Sequence, residues 1–329
     1  RPSVTFSMVS GWRATCDQAS HSPAAATIPA AARTTGVFVI GRIMADGRLA
    51  RMTELMVRTA DGVELYVRDL GEGEAVVIPL ACWCEEFEAL AAGRRVALYD
   101  PRGRGRSSTV APAQVSFEND IADLDAVREA LGLERMSVIG WSYFGGVAAR
   151  YAMLHPERVR RLVWVGGTPV RGGEFMKAVQ AEVTARLRQT DGALMEQIAS
   201  GAPVTPDLIR RYWEAFSKVR SGDVKPPWPL QRSRPAQHPN ERPERIFPLV
   251  TRAMQTLGDW DWREEAGRIT AAVLLIDGGA DILPEQAMAE WAAALPNSET
   301  VLPEGAGHSP AYEAPERFFP ILEAFLSRG

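Results

Sequence analysis

The chain has 329 residues, 46 % hydrophobic and 24 % charged, the proportions of a globular protein with room for one large α/β domain or two smaller ones. Its net charge of −4 gives a nucleic-acid partner no electrostatic support. No apolar run approaches the roughly 18 to 20 residues of a membrane span; candidates such as GVFVIG are far shorter.

The N-terminal stretch RPSVTFSMVSGWRATCDQASHSPAAATIPAAARTTG is rich in Ala, Ser, Thr and Pro and shows neither helical nor strand periodicity. Residues 1–51 are therefore expected to form a disordered tail, with the domain starting near Met52. The segment carries several arginines and almost no acids, as transit peptides do, but lacks the apolar core of a secretory signal. A tail or upstream read-through is the preferred reading, and a targeting role the alternative. The three cysteines, Cys16, Cys82 and Cys84, are too few for a disulfide framework and point to a reducing, cytoplasmic compartment. Cys82-x-Cys84 has no second Cys or His pair to complete a metal site, so both are read as structural thiols and no metal or cofactor is expected.

From Met52 the pattern changes. TELMVRTADGVELYVRDLG reads as two alternating strands joined at Asp61-Gly62. EAVVIPL and RRVALYD are continuous apolar runs, as in strands buried on both faces. FENDIADLDAVREALGL has helical spacing and Gly132 near its end. MSVIG is a third buried strand and runs straight into Trp141 and Ser142; GGVAARYAMLHPERV follows as a helix stopped near Pro156. RRLVWVGG, AAVLLIDGG and SETVLPEG supply three more strands, and APERFFPILEAFLSR closes the chain as a helix. The alternation predicts an α/β fold, a mostly parallel sheet with helices on both faces, built from residues 52–167 and 270–329. The intervening residues 168–269 are too many for a plain connection. The helical stretches EFMKAVQAEVTARL and PDLIRRYWEAF make this insertion a helical cap, and its proline-rich segment KPPWPLQRSRPAQHPNERP must run extended or looped.

The stretch IGWSYFGG, Ile139 to Gly146, poses the central question. A strand, a sharp turn and a helix are what a nucleophile elbow G-x-S-x-G needs, and Gly140 stands correctly two residues before Ser142. Phe144, however, occupies the place of the second glycine, and Gly145 and Gly146 come late. A serine hydroxyl also needs an oriented base. Of the four histidines, His21 lies in the tail, His155 at a helix end and His238 in the proline-rich segment. His308, in the glycine-flanked loop EGAGHSP, is the remaining candidate. Between Ser142 and His308, Asp281 in the loop GGADILP is the candidate acid; Asp277 is close by but belongs to the strand end.

With these loops in view, the domain from about Met52 onward resembles the α/β-hydrolase family. YDPRGRGRSS looks like that family's D-x-R-G-x-G-x-S signature, and GWSYFGG, GGADILP and GAGHSP resemble its nucleophile, acid and histidine loops. LGDWDWREEAGRI is similar to the cap exit of proline-iminopeptidase-like members. The resemblance implies Ser142 as nucleophile, His308 as general base and acid, and Asp281 as the orienting carboxylate. It also implies an oxyanion hole from the backbone N–H groups of Tyr143 and Ala81.

Two departures stand out. Pro79 and Leu80 occupy the places of the family's His-Gly pair after the third strand, which denies the loop glycine's conformational freedom. Phe144 must point away from the strand–helix contact or into the pocket. Trp83, Trp141 and Phe144, with Trp213 or Trp228 from the cap, are candidate pocket residues and predict an apolar or aromatic small-molecule substrate. An ester is the first expectation, cleaved by a metal-free serine hydrolase through an acyl-enzyme. The alternatives are an aminopeptidase, for which Glu174, Glu182 and Glu214 could hold an α-amine, and a non-catalytic ligand-binding member of the fold.

Overall fold

The computed structural model describes residues 33–43, 49–221, 239–283 and 285–328, and for 33–43 and 49–51 the backbone course alone. Among them runs one nine-stranded sheet. Its strands are β1 (Arg33–Ile43), β2 (Leu49–Arg58), β3 (Glu64–Leu70), β4 (Ala75–Pro79), β5 (Arg95–Tyr99), β6 (Met136–Trp141), β7 (Val159–Val165), β8 (Ala272–Ile276) and β9 (Ser298–Val301). The order across the sheet is β1-β2-β3-β5-β4-β6-β7-β8-β9. Pairing is antiparallel from β1 to β5 and parallel from there to β9. The six residues of β6 are all buried, and β4, β5 and β8 are buried beyond their first residue. That is the two-faced burial their unbroken apolar runs require.

The segment expected to be disordered up to residue 51 holds β1 and the start of β2. The physical reason is that GVFVIGRI carries strand-favouring Val, Phe and Ile and lies along β2 in antiparallel register from Arg33↔Arg58 to Ile43↔Leu49. The expectations for residues 1–32, including Cys16 and His21, fall outside the described residues.

The helices flanking the sheet are α1 (Phe117–Ala130) and α2 (Tyr143–Leu154) before the insertion. The cap helices α3 (Glu174–Thr190), α4 (Gly192–Ala199), α5 (Pro206–Arg220) and α6 (Pro243–Leu257) fall between β7 and β8. α7 (Glu285–Ala294), the short α8 (Pro310–Glu313) and α9 (Pro315–Leu326) complete the chain. Ser116 caps α1 by accepting the Asn119 N–H at 3.1 Å. In α3, Phe175, Val179, Val183 and Leu187 repeat at helical spacing and form one stripe. That stripe packs with Leu194, Ile198, Leu208 and Tyr212 into a core of the cap's own, which also takes in Ile282 and Ala287 from the segment after β8. The cap's two stems are tied together: Gly172 N–H donates to Trp260 O at 2.8 Å and Trp262 N–H to Val170 O at 2.9 Å. Trp228, His238 and most of the proline-rich segment lie outside the described residues.

The topology fixes where a site can form. From β4 the chain moves to β5 on one side and then to β6 on the other. The loops leaving the carboxyl ends of β4 and β6 therefore diverge and open a crevice at this switch point. Leu80–Cys84 follows β4, and Ser142 follows β6.

Candidate active site

Ser142 occupies the single-residue turn between β6 and α2, at φ 55° and ψ −129°. A non-glycine residue in that region is strained and persists only where its surroundings impose it. Here the Ser142 N–H donates to Val165 O at 2.9 Å, while its carbonyl accepts from Gly145 N–H at 2.8 Å and Thr168 N–H at 3.2 Å. The turn is tight because glycines allow it. A Cβ on Gly140 would stand 2.2 Å from Phe144 O, and one on Gly145 would stand 2.8 Å from the Gly167 Cα at the end of β7. The second close contact of the elbow thus falls on Gly145, one place later than the motif expects, and position 144 is free to carry a ring. Phe144 is buried away from that contact. It meets the Tyr143 ring at 5.0 Å, edge to face, and lies 5.6 Å from the Arg104 guanidinium.

The three candidates chosen from sequence meet. His308, in the loop between β9 and α8, places Nε2 2.9 Å from Ser142 Oγ and Nδ1 2.6 Å from Asp281 Oδ2. Asp281 lies in the loop between β8 and α7, and its other oxygen accepts the Ile282 N–H at 2.6 Å. His155 is elsewhere, at the end of α2 against Tyr151. Burial pushes the His308 imidazole below its ordinary range, and the charge of Arg220 adds to this against the opposing pull of Asp281. Burial alone would raise the Asp281 carboxyl, but His308, Asp277 and Arg220 outweigh it and hold it below the usual carboxylate range. The ring is therefore neutral and the carboxylate ionised near neutral pH, the states in which imidazole can accept a proton.

Arg220, the last residue of α5, went unnoticed in the sequence, where it reads as one more polar residue on an amphipathic cap helix. It is fully buried, with its guanidinium 4.4 Å from the Phe216 ring and 5.4 Å from Trp213. Its carbonyl accepts the His308 N–H at 2.9 Å, so the cap is bonded directly to the histidine loop. Burial lowers the Arg220 pKa to about 10, with Asp281 and Glu313 pulling the other way. Glu313 holds the same loop by accepting the Gly307 and Ser309 N–H groups at 2.6 and 3.1 Å.

Ala81 and Tyr143 each begin a helix, a 3₁₀ turn over Ala81–Trp83 and α2 respectively. The N–H groups of a helix's first residues have no partner within it and are available to an anion. Leu80 enters the first turn at φ 70° and ψ 55°. The loop therefore takes a left-handed turn, the conformation glycine adopts most readily, even though leucine occupies the position. Asp100 pins that loop, its Oδ1 accepting the Cys82 N–H at 2.9 Å and its Oδ2 the Arg106 N–H at 3.0 Å. The rest of YDPRGRGRSS is equally structural. Arg102 pairs with Asp123 and Asp61 at 2.7 Å, and Arg104 with Asp120 at 2.6 Å. Tyr143 OH donates to Asp120 Oδ2 at 2.9 Å and so ties the elbow to this network.

Trp83, Phe87, Trp141, Pro310, Ala311 and Tyr312 border a small recess that opens in part to solvent. The Trp141 indole donates to His308 O at 2.7 Å, which sets the recess beside the histidine loop. Trp213 of the cap lies with its ring 5.0 Å from that of Trp83, tilted by 38°. Phe144, expected in the pocket, is not on this recess. Glu174, Glu182 and Glu214 form helix-surface ion pairs with Lys177, Arg186 and Arg210.

Comparison with known proteins agrees with this fold. Residues 73–315 match the family described as alpha/beta hydrolase fold. The chain belongs to that family. Pimeloyl-[acyl-carrier protein] methyl ester esterase of Aliivibrio salmonicida is 26 % identical over 269 residues, 80 % of this chain and 95 % of the relative. The 2-hydroxymuconate semialdehyde hydrolase of Pseudomonas putida is 28 % identical over 249 residues, 71 % of this chain and 77 % of the relative. Among solved structures, a proline iminopeptidase of Mycobacterium smegmatis superposes with a TM-score of 0.63 at 22 % identity, covering 83 % of this chain and 97 % of its own. At the level of reaction class this α/β-hydrolase is a hydrolase. Among the described residues, no helix is long and apolar enough to cross a membrane.

Proposed function

We propose that this α/β-hydrolase is a serine esterase acting on a small ester with an apolar or aromatic acyl or alcohol part. The observation that carries the reading is His308 bridging Ser142 Oγ at 2.9 Å and Asp281 Oδ2 at 2.6 Å, with the serine held in strained elbow geometry. In this reading Ser142 Oγ attacks the ester carbonyl while His308 Nε2 takes its proton. Asp281 holds the imidazole by accepting from Nδ1 and stabilises the imidazolium that forms. The tetrahedral oxyanion is met by the N–H groups of Ala81 and Tyr143, one from each side of the switch-point crevice. His308 then returns the proton to the departing alcohol, and water, activated by the same imidazole, releases the acid. The Trp83–Trp141 recess receives the apolar part.

Ester cleavage is preferred because a curated relative is named for a methyl ester esterase and because the three glutamates considered for an α-amine are spent in surface ion pairs. The test is a p-nitrophenyl ester series with short aliphatic and aromatic acyl groups. The reading expects a nitrophenol burst that approaches one equivalent of enzyme, followed by slower turnover, and loss of both in Ser142→Ala. Ester turnover that survives in Ser142→Ala would overturn it. Saturable binding of the esters without product would favour a ligand-binding role.

A further inference from the structure

Asp277 is a second buried carboxyl beside the Ser142–His308–Asp281 cluster, and the mechanism above leaves it unused. It stands one residue beyond β8, is 5 % exposed, and its Oδ1 accepts the Gly278 N–H at 2.8 Å. Its proximity to the cluster is read from Gly166, at the end of β7. A Cβ on Gly166 would stand 3.1 Å from Asp277 Oδ1, 3.2 Å from Asp281 Oδ2 and 3.3 Å from His308 Nδ1. Two carboxyls and the histidine thus converge on one small volume walled by backbone.

Two carboxylates so close and so buried cannot both ionise. Their neighbours decide which one keeps the proton. Asp281 has the imidazole at 2.6 Å, the Ile282 N–H at 2.6 Å and the charge of Arg220, all favouring the ionised form. Asp277 has one backbone donor and faces the negative charges of Asp281 and Glu313. Burial, then Asp281, push its carboxyl well above the usual range. The charged and titratable groups around the pair are His308, Arg220 and Glu313. We propose that Asp277 is a positioning residue: it carries a proton and donates it in a hydrogen bond to Asp281, fixing the carboxylate that orients His308. No net charge is moved; one proton is held between two carboxyl groups, on Asp277, with Asp281 as acceptor.

The kinetic part of the test rests on the esterase reading, and the spectroscopic part does not. Infrared difference spectra of wild type against Asp277→Asn near neutral pH should contain the carbonyl stretch of a protonated carboxyl. Absence of that band would overturn the proposal whatever the protein hydrolyses. Asparagine keeps a donor and the shape, so Ser142 in Asp277→Asn should react with a fluorophosphonate within about 5-fold of the wild-type rate, whereas Asp277→Ala should be slower by roughly 10- to 100-fold. Thermal melts by circular dichroism establish that both variants are folded. Alanine reacting at the wild-type rate, or asparagine as slow as alanine, would contradict a donor role. If wild-type Ser142 does not react at all, the esterase reading fails and the infrared band alone decides the case for Asp277.

Discussion

The shifted elbow yields a sharp test at two adjacent positions. In Gly145→Ala the new Cβ would stand 2.8 Å from Gly167 Cα and 3.2 Å from both Gly140 O and Trp164 Cδ1. Carbon atoms pack at about 3.5 to 4.0 Å, so α2 and the end of β7 must part by roughly 0.7 Å, or the turn must deform. Overpacking of this kind costs about 1–3 kcal/mol in stability. The larger consequence is chemical, because Tyr143 N–H lies two residues before the clash and on the same helical turn. In the proposed mechanism this displaces one oxyanion donor, which is expected to slow Ser142 by about 10²- to 10³-fold. Phe144→Ala is the control. It removes a buried ring packed on Tyr143 and Arg104 and should cost about 3–5 kcal/mol, but it leaves the strand–helix contact alone. The assay is the rate of Ser142 modification by a fluorophosphonate at low temperature, beside a thermal melt. The alanine at 145 should melt mildly lower and react far more slowly, and the alanine at 144 should melt much lower but react within about 10-fold of wild type while folded. The opposite pattern would show that position 144, and not 145, is the elbow's close contact.

Further expectations concern the surroundings of the triad. Leu80 sits in left-handed backbone, so Leu80→Gly relieves strain while Leu80→Ala does not; both lose the buried side chain. The glycine variant should be the more stable of the two by about 1 kcal/mol in denaturant unfolding, and equal stability would argue against the left-handed turn. Tyr143→Phe removes the donor to Asp120 and should cost about 1–3 kcal/mol. Arg104→Met strands a fully buried Asp120 and should cost about 3–5 kcal/mol, so a smaller loss than for Tyr143→Phe would contradict the network. Because burial and Arg220 hold the His308 imidazole below its ordinary range, the base is lost only as pH falls below about 6.5. The acid limb of kcat/KM should lie there, and Arg220→Met should move it upward. A downward shift would reverse the sign assigned to Arg220.

Much of this was legible in the chain because the relevant signals are local. The parallel-sheet strands β4, β5, β6 and β8 are buried almost throughout, and their largely apolar runs say so without any partner. Ser142, Asp281 and His308 were identifiable because each sits in a loop directly after a strand, in a fixed order. What escaped depends on contacts distant in sequence. Arg220 is buried only because α5 docks its end on the histidine loop, so its helix pattern suggests solvent. Asp277 looked like the end of a strand, and its nearness to Asp281 and His308 appears only when β7 brings Gly166 alongside. Phe144 stood out as a departure because the motif counts residues, whereas the backbone needs a close contact that Gly145 supplies.

The central claim is that Ser142 is an activated nucleophile, and labelling tests it most directly. Wild type and Ser142→Ala would be treated with a fluorophosphonate near neutral pH and the adduct located by peptide mass spectrometry. The account predicts one phosphonyl group on wild type, placed on Ser142, none on the alanine variant, and slower labelling as His308 is protonated. A folded wild type that stays unlabelled, or an adduct on any other residue that persists in Ser142→Ala, would contradict it.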